Sequence, residues 1–588
     1  MNPFALVSLA CKRNINFNNM FHALASGGEF AFWCDEFKPG NALRPDKGRE
    51  VMAIYWTVDT LPSWFQRRKW GLFFFGAYPT SRLEITPGGL GQLITKMLRV
   101  FFNFPSFDFA VGVRFESPNG MSFKIVIKRV SAFVFDLKAF AQALGWNGSG
   151  SSHCCPICRN CLKEHGEKCL SLEGTENLTY YQGKLKDYVQ HKGEDLWRIA
   201  DHLEAVVPTF TSKKQVRDLE QICGYKCEPH GLLADRFSRR FVDPVDVIYF
   251  DVHHCWTASG GVAQYHVNEF VRYILESHAN ASLEMLDHFA SNITYPKDFP
   301  KPRRNFFSQY WCSEQRSCFR GFAQDTLAAI QVLVLFVETL LAPDPSNPLI
   351  EAFLLLSAIL GSYELGDRLI GSPTLDQLDH WHDRYVDLYR SLGYKETPKL
   401  HTARHIVDRI RRARKYLNTL PGERFHRHVK AFSNYTFNNY ELAVCRRMVL
   451  AFLDGVKDEN FAVPSYLVRP VAFPPDLADW ALCNFGLVSP RCSLTAVMPN
   501  GSFSLGDMVL CDNDVVAEVR LIVGGVVRGG VQSIVIKVMA ELWAAGASNN
   551  GVYFATGKAY HMDGDAISRT LAFAPRQGGR QVCLPTCR

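Results

Sequence analysis

Hydrophobic residues in the first 140 positions fall into short runs that predict strands around one helix. Runs rich in aromatic and β-branched residues predict strands at 30–35, 51–57 and 70–78. Apolar residues at helical spacing follow a Gly-Gly pair and predict a helix over 90–102. Two further strand patterns, 112–116 and 122–136, are separated by a Ser-Pro-Asn-Gly turn. The pattern therefore predicts a mixed α/β domain within residues 1–162.

Three meandering strands, a helix and a further strand are typical of the opening of an RNase H-like fold, and a general α+β domain fits the same order. Polar segments with helical spacing of apolar residues then dominate residues 163–399, and the clearest helical patterns lie at 185–206, 327–341 and 350–360. We interpret this stretch as a large, mainly helical insertion. The helical pattern continues over 401–453. It predicts helices within 400–460 at which the chain returns to the first domain and completes it.

The tail of the chain has a different pattern. Several prolines between 464 and 475 indicate a linker. Strand patterns separated by Gly-rich turns follow at 508–510, 515–523 and 533–538. Residues 461–588 are therefore predicted to form a small all-β accessory domain, for which no motif indicates a role.

Composition excludes several classes of protein. The chain has 588 residues, of which 47% are hydrophobic and 21% charged, which is typical of folded globular proteins. Its net charge of +7 is too small over this length to indicate a nucleic-acid-binding protein by itself. The start of the chain lacks the pattern of a signal peptide, so we expect an intracellular protein. Gln331 and Glu338 interrupt the most apolar stretch, 326–342, which predicts a buried helix rather than a membrane span.

Two acidic residues lie at the ends of predicted strands. Asp35 ends the first strand and Asp136 ends the last one of the first domain. In a sheet of this kind, neighbouring carboxylates can hold two divalent ions for phosphodiester chemistry, and Mg²⁺ or Mn²⁺ suits such ligands. A simpler interpretation is that Asp35 begins a turn and Asp136 caps the helix that follows it.

Cysteine and histidine residues predict a zinc site. Cys155 and Cys158 form a Cys-x-x-Cys pair after the predicted strand 122–136, and His401 and His405 lie four apart on a predicted helix. Both pairs have spacings at which two side chains can reach one tetrahedral ion. Five neighbours remain alternative ligands: His153, Cys154, Cys161, His165 and Cys169.

Basic residues concentrate in the segment 404–430, which contains nine Lys or Arg residues. Such a run can be a solvated helix face or can bind the phosphates of a nucleic acid. The candidate DNA-binding residues are Arg409, Arg411, Arg412, Arg414, Lys415, Arg424 and Arg427. Glu423 lies among them as a candidate salt-bridge partner or metal ligand. Asp251 and His254 follow a strand-like run and form either a ligand or acid/base pair, or a capped helix start.

Taken in order, these motifs resemble the catalytic region of CACTA/Plavaka-type DDE transposases of the CMC superfamily, which are distantly similar to the catalytic core of the V(D)J recombinase. The resemblance covers about residues 30–450. It is carried by Trp33 to Asn41, Phe135 to Ala139, Cys155 to Cys158, Phe250 to His254, Lys399 to His405 and Gly422 to Arg427.

The resemblance implies an RNase H-like core in which Asp35, Asp136 and Glu423 hold two Mg²⁺ or Mn²⁺ ions. It also implies a structural Zn²⁺ bound by Cys155, Cys158, His401 and His405. Asp251 and His254 match an Asp-x-x-His motif, and Asp251 is a rival for the second catalytic aspartate.

The implied function is transposase-like DNA cleavage and strand transfer. The alternative is a domesticated, inactive zinc-containing DNA-binding or scaffold protein. Expected partners are transposon ends, target DNA and a second copy of the chain, with no membrane, in the nucleus.

Overall fold

The computed structural model describes most of the chain. The described residues are 2–38, 50–67, 70–164, 176–258, 260–295, 301–314, 317–341, 346–364, 366–370, 374–394, 396–433, 440–458, 461, 465–498, 501–511, 515–527, 534–545, 552–571, 573–576 and 579–582.

The α-helices are α1 (Pro3–Arg13), α2 (Ile15–His22), α3 (Ser63–Arg67), α4 (Thr80–Ile85), α5 (Gly89–Phe102), α6 (Leu137–Leu144), α7 (Gly193–Val206), α8 (Lys213–Cys223), α9 (Val252–Trp256), α10 (Val262–Ser277), α11 (Leu283–Asn292), α12 (Phe306–Tyr310), α13 (Ala323–Phe336), α14 (Pro348–Glu364), α15 (Thr374–Ser391), α16 (Pro398–Ala413), α17 (Leu420–Ser433), α18 (Tyr440–Asp458) and α19 (Pro475–Phe485).

The strands are β1 (Phe30–Phe37), β2 (Val51–Val58), β3 (Phe73–Pro79), β4 (Val113–Glu116), β5 (Ser122–Ile125), β6 (Val130–Phe135), β7 (Cys161–Leu162), β8 (Leu178–Thr179), β9 (Ile248–Phe250), β10 (Tyr466–Leu467), β11 (Val471–Ala472), β12 (Leu487–Cys492), β13 (Thr495–Met498), β14 (Gly501–Ser504), β15 (Met508–Cys511), β16 (Val516–Val527), β17 (Ile534–Ala545), β18 (Val552–Asp563), β19 (Ile567–Leu571), β20 (Phe573–Arg576) and β21 (Gly579–Val582).

The chain divides into two compact units. The first consists of Met1–Cys255 and Glu396–Ala462, and the second of Trp256–Lys395 and Val463–Arg588. The sequence placed the end of the first domain at residue 162, which falls inside the first unit. The unit continues to Cys255 because β9, at the end of this stretch, pairs with β6. None of the helices within the described ranges is both long and apolar enough to cross a membrane.

A mixed five-stranded sheet forms the centre of the first unit, in the order β3-β2-β1-β6-β9. The first three strands are antiparallel, whereas β1, β6 and β9 run parallel. Every residue of β2 is buried, as the continuous apolar run 51–57 predicts for a central strand. The predicted strand 122–136 is instead two strands: β5 pairs with β4 in a hairpin, and β6 joins the central sheet.

Aromatic packing fixes α5 against this sheet. The buried face of α5 includes Ile94, Leu98 and Phe101 at helical spacing. The ring of Phe101 lies 4.7 Å from that of Phe30 on β1 and 5.1 Å from that of Trp56 on β2, measured between centroids. The predicted helix 185–206 forms only in part, because α7 begins at Gly193 after a short 3₁₀ turn.

The second unit contains a helical segment and a β-rich segment. In the helical segment, the rings of Phe270 on α10 and Phe353 on α14 stack at 3.8 Å, and His266 on α10 bonds to the hydroxyl of Tyr385 on α15. The β-rich segment contains long antiparallel strands, with β16 paired to β17 and β17 to β18, and the helix α19. The C-terminal β region is thus confirmed, and its strands extend beyond the predicted ones.

Candidate functional site

Parallel pairing brings three aspartates to one edge of the central sheet. Cys34 on β1 lies opposite Phe135 on β6, and Phe135 lies opposite Phe250 on β9. Asp35, Asp136 and Asp251 are the residues that directly follow these paired positions along the chain. Because adjacent parallel strands lie about 4.8 Å apart, the three residues lie side by side along this edge, with Asp136 between Asp35 and Asp251. Asp35 lies within β1, which continues to Phe37, rather than in the turn that the simpler interpretation required.

Asp35 lies in a partly buried environment among charged groups. Burial raises the pKa of Asp35, the charges of Asp136 and Glu423 raise it further, and His254 opposes them, which leaves the pKa at about 7. His426 on α17 places its Nδ1 3.4 Å from the Asp35 carboxylate. Helix α17 packs against β1 and carries Glu423 one turn before His426, with Glu423 exposed. The structure therefore brings Glu423 into the electrostatic environment of the sheet-edge aspartates.

Asp136 has the capping role that the simpler interpretation assigned to it. Its Oδ1 accepts a 2.6 Å hydrogen bond from the backbone N–H of Ala139 in the first turn of α6. The side chain is only partly buried, so capping uses one oxygen of a carboxylate that remains accessible. Nearby, Lys138 bonds to Glu36 at 2.7 Å and links α6 to β1.

Asp251 is buried and fully engaged by hydrogen bonds. Its Oδ1 accepts the backbone N–H of Thr419 at 2.9 Å, and its Oδ2 accepts both the backbone N–H and Nδ1 of His254 at 2.9 Å. Burial alone would lower the pKa of His254, but the bond to Asp251 and the charges of Asp251, Asp136 and Asp35 raise it to about 9. His254 is therefore a cation that faces the acidic sheet edge.

Two cysteines and two histidines form a compact buried cluster, which we call the Cys/His cluster: Cys155, Cys158, His401 and His405. Their donor atoms all lie within 4.8 Å of one another. The Nε2 atoms of the two histidines are 3.3 Å apart. Cys158 Sγ lies 3.5 Å from His401 Nε2 and 3.2 Å from His405 Nε2, and Cys155 Sγ lies 3.6 Å from His405 Nε2.

A zinc ion with bonds of about 2.0 to 2.3 Å gives tetrahedral edges of about 3.3 to 3.8 Å. The cluster could therefore bind a metal such as zinc.

The electrostatics of the Cys/His cluster suit a cation. Burial alone would raise the pKa of Cys155, but a hydrogen bond from Cys158 and the charges of His405 and His401 hold it well below its usual range. Burial and the neighbouring thiolate of Cys155 raise the pKa of Cys158 far above its usual range. A bound divalent cation would favour both thiolates, because these are the ligand forms.

The alternative zinc ligands lie elsewhere or are not described. The Sγ atoms of Cys154 and Cys161 are 3.5 Å apart and belong outside the four-residue group, while His153 bonds through Nε2 to the carbonyl of Ile222. His165 and Cys169 lie outside the described residues.

Among the described residues, no group of three or more acidic residues has its oxygens as close together as the donor atoms of the Cys/His cluster. The oxygens of Asp35, Asp136 and Glu423 therefore do not all lie within 4.8 Å of one another.

The basic side chains of the segment 404–430 differ in their exposure to solvent. Arg409 is buried and donates to the carbonyl of Val245, so the structure removes it from the candidate DNA-binding residues. Arg412 is half exposed and pairs with Asp246 and Asp408, and Lys415 donates to the carbonyls of Asp59 and Leu61.

The remaining candidates are more accessible. Arg411, Arg414 and Arg427 are exposed, and the side chain of Arg424 lies outside the described part of the chain.

His426 lies within the motif Gly422 to Arg427, which did not indicate a role for it, and no pattern in the sequence indicated Thr419. A histidine three residues after Glu423 could have been found, because that spacing places both side chains on one helix face. Thr419 contributes only its backbone N–H to Asp251, so no side-chain pattern could have indicated it.

Comparison with known proteins adds no assignment to this geometry. The chain matches no protein-family model, and a search of curated proteins finds none with significant similarity to it.

Proposed function

We propose that the first unit is the RNase H-like core of a transposase-type enzyme that cuts DNA and joins the freed end to target DNA. The observation that carries this proposal is the common sheet edge at which Asp35 and Asp136 directly follow the last paired residues of neighbouring parallel strands, with Glu423 close enough to raise the pKa of Asp35. The strand order β3-β2-β1-β6-β9, with three antiparallel strands followed by two parallel additions, supports the RNase H-like assignment.

Each acidic residue has a defined part in this proposal. Asp35, Asp136 and Glu423 would hold Mg²⁺ or Mn²⁺, since carboxylate oxygens are the ligands these hard cations prefer. Such ions, when bound, polarise a phosphodiester and activate the attacking oxygen. Asp136 is suited to this role because one oxygen fixes the start of α6 and thereby orients the other.

His254 supplies positive charge beside the carboxylates. Its bond to Asp251 keeps the imidazole charged and fixes its direction. A fixed cation at this edge would attract the negatively charged backbone of DNA and stabilise charge that develops on a phosphate. The exposed side chains of Arg411, Arg414 and Arg427 would add contacts to the DNA backbone.

The proposal is tested with a nicking assay in the presence of Mg²⁺ or Mn²⁺. The substrate is DNA that carries the terminal repeats of the transposon in which, under this proposal, the gene originated. Asp136→Asn and Glu423→Gln should each lower the rate by at least about a hundredfold, because they remove charge that the ions require. Asp218→Asn, on the exposed face of α8, is the matched control and should retain the wild-type rate.

The outcomes separate the two candidate functions. Nicking that survives Asp136→Asn would refute the catalytic assignment. Binding of DNA by the full chain without nicking in any variant would instead favour the zinc-containing scaffold protein, in which the buried Cys/His cluster would hold the metal.

A further inference from the structure

The connection between α16 and α17 is held to the central sheet by side chains from two strands. This connection, residues 414–419, is called the α16–α17 linker below. Trp33 on β1 donates from Nε1 to the carbonyl of Asn418 at 2.8 Å. The hydroxyl of Tyr249 on β9 donates to the carbonyl of Lys415 and accepts the N–H of Leu417.

Asp251 makes the last of these contacts, at the residue that directly precedes α17. Thr419 donates its N–H to Asp251 and accepts the N–H of Glu423 at its own carbonyl at 3.0 Å. Thr419 is therefore the N-cap residue of α17. Its N–H bonds to Asp251 at the sheet edge, and its carbonyl bonds to the N–H of Glu423, the residue that carries the third carboxylate.

We propose that Asp251 is a positioning residue that fixes the start of α17, and with it Glu423, rather than a ligand of the catalytic ions. This inference rests on the proposed function, since it concerns the same acidic edge. Asp251 is 1% exposed, so an ion approaching from solvent does not reach it. Three N–H donors already occupy its two oxygens.

The geometry also explains why a charged residue is buried here. A buried carboxylate is costly unless it is paired and hydrogen-bonded. Asp251 meets both conditions with His254 and Thr419, and in doing so ties β9, α9 and α17 together at one point. Removing it should loosen the linker and the first turn of α17 while leaving β1 and β6 in place.

The first test is hydrogen exchange of the full-length protein, measured by mass spectrometry on peptides covering 414–433. In Asp251→Ala, amides of this segment should exchange about tenfold faster or more, because a hydrogen bond to a charged acceptor is lost. Asp251→Asn should show a smaller increase, since the amide oxygen can still accept the Thr419 N–H. Asp218→Asn should exchange as the wild type does. Unchanged exchange in Asp251→Ala overturns the inference without reference to activity.

The second test uses Fe²⁺ in place of Mg²⁺, with ascorbate and peroxide, to cut the backbone beside the bound ion. The wild type should be cut near residues 35, 136 and 423, and excess Mg²⁺ should suppress the cuts. In Asp251→Asn the cuts near 35 and 136 should persist, while those near 423 weaken severalfold.

Two contrary outcomes are distinguishable. If Asp251→Asn loses the cuts at all three places, as Asp136→Asn should, then Asp251 is a ligand and the positioning role is wrong. If the wild type shows no cuts that Mg²⁺ suppresses, the proposed function itself fails. Metal content of the Cys/His cluster and the far-ultraviolet circular dichroism spectrum show that each variant has folded.

Discussion

Removal of one ligand from the Cys/His cluster should release its metal and destabilise the first unit. Cys158→Ser is the informative change, because its Sγ lies 3.5 Å from His401 Nε2 and 3.2 Å from His405 Nε2. Cys161→Ser is the matched control. Cys161 is equally buried and lies three residues further along the chain, but it is not in the four-residue group.

The size of the effect follows from the distance along the chain that the cluster spans. Cys155 and His405 are separated by 250 residues. A cross-link that closes a loop of this length removes unfolded-chain entropy worth about 5 kcal/mol. Cys158→Ser is therefore expected to lower the free energy of unfolding of the first unit by up to about 5 kcal/mol. The decrease should amount to several kcal/mol when it is measured against Cys161→Ser.

Two measurements check this prediction. Elemental analysis by mass spectrometry should find about one zinc per chain in the wild type and in Cys161→Ser, and none in Cys158→Ser. Guanidinium unfolding followed by tryptophan fluorescence should show the loss of stability. The reasoning is refuted if the wild type, purified without chelators, contains no transition metal, or if the two serine variants unfold at the same guanidinium concentration.

Three further predictions concern the acidic edge and the packing of the first unit. Because the pKa of Asp35 is raised to about 7, a proton competes with the cation below that pH. Mn²⁺ affinity measured by calorimetry should therefore rise between about pH 5 and 7, and equal affinities at pH 5.5 and 8 would contradict this. His254 has a raised pKa of about 9 in the folded state, so its pairing stabilises the fold fully below about pH 6.5 and is lost as the pH rises through 9. His254→Gln should therefore cost about 3 kcal/mol at pH 6 and much less at pH 10 in chemical unfolding, and a cost independent of pH would count against the pairing. A Cβ at Gly455 would lie 2.0 Å from Trp70 Nε1, so Gly455→Ala should cost about 1 to 3 kcal/mol in the same assay; Gly150→Ala, which meets nothing within 4 Å, is its control.

The local sequence pattern was sufficient to predict those features that neighbouring residues determine by themselves. The strands β1 and β2 follow from continuous apolar runs, because a run of that length can be satisfied only in a buried strand or helix. Ligand type and spacing indicated the two pairs of the Cys/His cluster, since a Cys-x-x-Cys pair and two histidines four apart on a helix each direct both donors to one point. Spacing left five neighbouring residues as alternatives, and the choice of these four came from the family resemblance. Its four members are those predicted.

Other features depend on tertiary pairing and could not be read from a single sequence. The strand-like run before Asp251 indicated β9, but its place beside β6 is set by pairing with a strand more than a hundred residues earlier. The predicted strand 122–136 divides because β5 pairs with β4 while β6 joins another sheet. Arg409 was a DNA-binding candidate because it belongs to the basic run 404–430, yet its guanidinium is buried against the carbonyl of Val245, which the run of charges does not indicate.

The interrupted path of the first unit has a consequence for biosynthesis. Cys158 and His401, which meet in the Cys/His cluster, are 243 residues apart along the chain. A ribosome that adds about 5 to 20 residues per second needs roughly 10 to 50 seconds to cover this interval. The nascent chain thus exposes its paired thiols for that time before the imidazoles emerge. A metal site made of all four residues can therefore form only after the second pair of ligands has been synthesised, and until then the thiols lack the imidazoles beside which the folded protein places them.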